Sequence, residues 1–201
     1  MAIVEMRDLA LSVRGASSSG SGPPPHIWGM VSSVRSAIRV VHATSPAAGV
    51  AKVQSSLGKW LPWAGDPNRG RRATASAAAN YIAVVEQCAS WHAASPLAFT
   101  RWEERGVVSY GQHSVEVLVR VVLESSTGVW GRLILWDSPP LTVDAAELMA
   151  SPVVELLDSI HGPDMVQGAE VWQCRTGETH TITARAARLK RNAVAAHLSR
   201  L

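Results

Sequence analysis

The chain has 201 residues, of which 47% are apolar and 17% charged, with a formal net charge of +3 and only two cysteines. One compact domain, or at most two small ones, fits that length, and the composition excludes collagen-like, disulfide-scaffold and wholly disordered classes. Charge is unevenly spread: residues 1–72 carry 9 basic and 3 acidic side chains, residues 73–184 carry 5 and 13, and residues 185–201 carry 5 and none. Such segregation suits basic ends that contact a polyanion, or ends that pair with the acidic middle of the same or a neighbouring subunit.

Residues 1–14 contain Glu5, Arg7 and Asp8, so they lack the unbroken apolar stretch of a signal peptide. Nothing approaches the run of about 20 apolar residues needed to cross a bilayer. The expectation is an intracellular protein, soluble or peripherally associated, with no transmembrane segment, in which Cys88 and Cys174 stay reduced and buried. From Gly15 to Pro25 the sequence GASSSGSGPPP has linker composition, flexible where it is Gly/Ser and extended where it is proline. Residues 1–25 are therefore predicted to be a flexible arm and linker, and residues 26–201 a single compact α+β domain.

Within that domain a helical N-terminal half comes first. Ile27, Met30, Val31, Val34, Ile38 and Val41 recur at helical spacing, with Arg35 and Arg39 on another face. Ser45 before Pro46 reads as a capped helix start, followed by Val50, Val53 and Leu57. The segment LPWAGDPNRGRR is a loop, and the alanine-rich run from Ala73 to Ala94 is a helix that stops at Ser95-Pro96.

Two β-hairpins separated by a helix follow. SVEVLVRVVLE alternates with period two and, across SSTG, meets a second apolar run, VWGRLILW. Asp144 to His161 has one apolar side, with Pro152 forcing either a second start capped by Ser151 or a kink. AEVWQCR and THTIT form the second hairpin around Thr176-Gly177-Glu178, and a basic C-terminal helix runs from Ala184.

Local signatures of chemistry are sparse. The chain contains no Walker loop, G-x-S-x-G, G-x-G-x-x-G, H-E-x-x-H or C-x-x-C motif. Cys174 and His180 read as a strand cysteine and a hairpin histidine, and no metal or cofactor is expected. Asp137, between an apolar run and two prolines, reads first as a turn cap and second as a catalytic carboxylate. The basic ends are the stronger candidates for a polyanion site: Arg69, Arg71 and Arg72 in the glycine-containing loop, with Trp60 and Trp63 placed to stack on bases, and Arg185, Arg188, Lys190, Arg191 and Arg200 on the terminal helix. The leading expectation is a non-enzymatic, self-associating structural or assembly protein, coat- or matrix-like, whose basic ends contact nucleic acid or an anionic membrane surface. An adaptor that binds a protein through the proline segment or the tryptophans, and an enzyme with a dispersed site, are the alternatives.

Overall fold

A computed structural model describes residues 2–6, 9, 25–58, 75–135, 140–174 and 176–200. The architecture is mixed α+β. The chain divides into two compact units, Met1–Ser19 with Leu97–Leu201, and Gly20–Pro96.

The Gly20–Pro96 unit holds three helices: α1 (Pro25–Ala43), α2 (Pro46–Gly58) and α3 (Ala75–Ala94). As the spacing predicts, Val34, Ile38 and Val41 of α1 are buried and Arg39 is exposed. Ser45 caps α2 by accepting the Ala48 N–H at 3.2 Å, with Pro46 at the first helical position. Small residues let α3 pack closely, with Ala78, Val85, Cys88 and Ala89 on its buried side.

The other unit is built on one sheet. Its strands are β1 (Ala2–Glu5), β2 (Ala98–Tyr110), β3 (His113–Ser125), β4 (Gly128–Leu135), β5 (Val166–Gln173) and β6 (Thr179–Thr183). Strands β2, β3 and β4 run as an antiparallel meander, β5 lies parallel to β4, and β6 returns antiparallel to β5. Both expected hairpins are present. The parallel β4–β5 step is bridged by helix α4 (Val143–His161), and the chain ends in α5 (Ala184–Leu189) and α6 (Arg191–Leu198). Helix α4 lies tight on the sheet: a Cβ on Gly131 would stand 2.7 Å from Val153 Cγ1 and 2.8 Å from Leu157 Cδ1. Valines 115, 117 and 119 of β3, with Val153, Leu157 and Met149 of α4, form the core beneath it.

Three expectations change, and one strand, β2, lies where none was expected. Residues 2–5, assigned to a flexible arm, pair in parallel with His113–Glu116, and Met6 and Leu9 are buried in the core. That burial, together with the strand hydrogen bonds, outweighs the local linker chemistry downstream. Strand β2 had no clear period, because a register shift between Phe99 and Arg101 and a left-handed Glu103 (φ 62°) break its alternation. Of the two readings at Pro152, the second start is not formed: α4 is helical through it, Thr142 is its cap, and the Ser151 hydroxyl donates to Glu155 Oε1 at 3.3 Å instead. The single basic helix is two short helices that meet at Lys190, whose N–H turns back to the Ala187 carbonyl.

Candidate functional site

Asp144, Glu147, Ser151, Glu155 and Asp158 are spaced three or four residues apart, so α4 presents them as one polar stripe beside its apolar face. Thr183 caps α5 by accepting the Ala186 N–H at 3.3 Å, and the turn at Lys190 redirects the chain into α6. Three consecutive cations of this turn then reach different points of the stripe.

Arg188 makes a two-pronged fork on Asp158, Nε to Oδ2 at 2.9 Å and Nη2 to Oδ1 at 2.7 Å, and Nη2 also donates to the Pro163 carbonyl at 2.7 Å. Asp158 lies in the last turn of α4, where the helix dipole disfavours a carboxylate, and the guanidinium offsets that disadvantage. Lys190 Nζ bonds Asp144 and lies 2.9 Å from Glu147 Oε2. Arg191 pairs with Glu155, donates from Nη2 to the Ser109 carbonyl at 2.8 Å, and stacks with its guanidinium carbon 5.0 Å from the centre of the Tyr110 ring.

Glu155 is the most heavily engaged of the acids. Besides Arg191 it accepts the Tyr110 hydroxyl at 2.9 Å and the Ser151 hydroxyl. Burial pushes the Tyr110 hydroxyl up to about 12, against the opposing pull of its hydrogen bond with Ser151 and of the Arg191 charge. The hydrogen bond to Asp158 holds the Arg188 proton above the ordinary arginine value, and those to Asp144 and Glu147 do the same for Lys190. Glu155, Asp158, Arg188 and Arg191 line an open cleft of about 290 Å3.

Of the cations singled out from the sequence, Arg188, Lys190 and Arg191 come together, but each is held by carboxylates of its own chain. Arg185 and Arg200 are exposed. Arg69, Arg71 and Arg72, the tryptophans Trp60 and Trp63, and Asp137 lie outside the described residues. The sequence reading missed Tyr110, Ser151, Glu155 and Asp158 as partners. The spacing of the α4 acids was the available signal for the carboxylates; nothing local to Tyr110 announced its role, since β2 itself was not recognised.

Two other polar features are structural in character. Arg132 of β4 is fully enclosed and donates from Nε at 2.9 Å and Nη2 at 2.6 Å to Glu170 Oε2, its register partner on β5. Cys88 and Cys174 are both buried. Among the described residues no cluster of histidine, cysteine, aspartate and glutamate has an arrangement that would hold a metal ion, and no helix is long and apolar enough to cross a membrane. No family model matches the chain, and no curated protein matches it.

Proposed function

We propose that this chain is a non-enzymatic structural or assembly protein that associates with further copies of itself and contacts nucleic acid through its basic segments. The observation that supports this reading most is the set of cations between residues 185 and 200. Arg185 and Arg200 are exposed, and the side chains of Arg188, Lys190 and Arg191 keep 38%, 24% and 51% of their accessible surface even while ion-paired. Guanidinium forks of this kind donate to phosphate oxygens in the geometry they use for carboxylates.

Nucleic acid is favoured over an anionic bilayer because α5 and α6 turn Ala184, Ala187, Val194 and Leu198 into the protein's own core and leave Leu189 as their one exposed large apolar side chain. A helix that lies on a lipid surface needs such residues facing outward. Self-association draws support from β2, which among the described residues pairs on one side only and so forms a sheet edge that another copy can cover. The proposal extends to a second basic segment read from the sequence alone, Arg69, Arg71 and Arg72 with Trp60 and Trp63.

The test is binding of a labelled single-stranded RNA across a salt series, with phosphatidylserine vesicles as a second probe and light scattering for mass. Binding to RNA should weaken steeply with salt, and Arg185→Gln with Arg200→Gln should lower the log–log salt slope by about 1.4, two single-strand phosphate contacts. Retention on vesicles alone replaces the nucleic-acid reading with a membrane one. No retention on either probe at low salt, or a strict monomer at every concentration, overturns the proposal.

A further inference from the structure

We infer that the carboxylate stripe of α4 is a built-in competitor for polyanion, so that Asp144, Glu147 and Asp158 occupy Lys190 and Arg188 until phosphates displace them. This inference rests on the nucleic-acid reading above and concerns how that surface is regulated.

The stripe reproduces the pattern that a phosphodiester strand would offer: negatively charged oxygens at successive points along a line, each facing one cation of the turn at residues 188–191. Ion pairs at a surface are weak individually, with a typical value of about 0–1 kcal/mol, so a ligand that presents several phosphates at once can exchange with them. Accessibility grades the exchange. Asp144 keeps 70% of its side-chain surface, so the Lys190 contact is the loosest, whereas Asp158 keeps 18% and is gripped by the bidentate Arg188 fork.

What remains after exchange is also provided for. When Arg191 leaves, Glu155 keeps the hydroxyls of Tyr110 and Ser151 as donors, so its charge is not stranded. Arg188, when it turns outward, opens on the same cleft of about 290 Å3 that lies between it and Arg191. Occupied cations contribute little to counterion release, so the protein in its resting state shows a shallower salt dependence than its five C-terminal charges would give. Five free cations correspond to a slope of about −3.5 on a single strand, and two to about −1.4.

The experiment compares the full-length chain with a stripe variant, Asp144→Asn, Glu147→Gln and Asp158→Asn, and with a charge-matched variant, Glu86→Gln, Glu124→Gln and Glu178→Gln, whose carboxylates are exposed and off the stripe. The probe is the labelled single-stranded RNA between about 50 and 200 mM salt. The stripe variant should bind more tightly than the charge-matched one at low salt and steepen the slope by about 1.4, the release of Lys190 and Arg188. Equal slopes for the two variants overturn the competitor role while leaving RNA binding by the wild type intact. Absence of RNA binding in all three proteins sinks the underlying reading instead, and this inference with it. Circular dichroism checks the fold. If the triple stripe variant does not fold, Asp144→Asn with Glu147→Gln keeps the Arg188 fork and should steepen the slope by about 0.7.

Discussion

Tyr110 shows how one side chain couples packing to charge. Its hydroxyl donates to Glu155 and its ring supports Arg191, while burial holds its proton up to about 12. The folded state keeps that proton when the unfolded chain gives it up near pH 10, so the stability Tyr110 contributes is complete below pH 10 and lost as pH rises through 12. Lys190, raised for a different reason, acts in the same direction. Chemical denaturation from pH 9 to 12 should therefore show an alkaline decline that Tyr110→Phe reduces by at most about 2–3 kcal/mol. Phenolate absorbance should show Tyr110 titrating late.

Arg132 poses a different problem, because it is fully enclosed with Glu170. Removing one partner leaves a buried charge unmatched, so Arg132→Met alone should lower stability by about 3–5 kcal/mol, whereas Arg132→Met with Glu170→Leu should recover most of it. Failure of the double variant to recover in urea unfolding would assign the pair a role beyond charge balance. Replacing Arg188, Lys190 and Arg191 by glutamine is not neutral either. Their partners include Glu155 and Asp158, both largely buried, so a drop of about 1–2 kcal/mol is expected where freely exposed cations would give almost none.

Individual elements are held by neighbours as much as by their own sequence. Helix α4 keeps Pro152 in its interior, a substitution that ordinarily costs about 3 kcal/mol, because Leu148, Met149, Val153, Val154 and Leu157 around it are buried against the sheet. The β3–β4 turn depends on Gly128 at φ 143°, where a Cβ would stand 2.0 Å from the Met165 carbonyl oxygen. Val129 N–H donates to that same oxygen at 2.8 Å, so turn and β5 approach are locked together. Gly128→Ala should destabilise by about 2 kcal/mol or more, and hydrogen exchange should quicken at Val129 before the rest of β4.

At the level of the whole molecule, the N-terminal residues are part of the sheet unit. β1 pairs with the start of β3, and Leu9 is fully buried. Removal of residues 1–19 should cost about 3–5 kcal/mol, from burial of Met6 and Leu9 and the lost pairing, and should expose His113–Glu116 to exchange. An unchanged melting temperature would show that β1 is dispensable. The charge segregation visible in the chain also resolves at this level. The acidic middle and basic end meet within one chain, which changes the electrostatics from an open cationic surface to a partly neutralised one.

The α+β class, both hairpins and the Ser45-Pro46 start of α2 were legible in the sequence, because hydrophobic period, β-branched content and cap chemistry are local properties that the chain carries wherever it folds. Strand β2 was hidden by its bulge, and residues 2–5 had too short a pattern to declare a distant partner. The candidate site was half legible: Arg188, Lys190 and Arg191 stood out by charge, and the acid spacing of α4 was readable in principle. Which cation would meet which acid depended on the crossover from β4 to β5 and on the turn at Lys190, which bring residues some 30 to 46 positions apart into contact. Pairing across that separation is set by the geometry of packed elements, and no short-range signal in the chain encodes it.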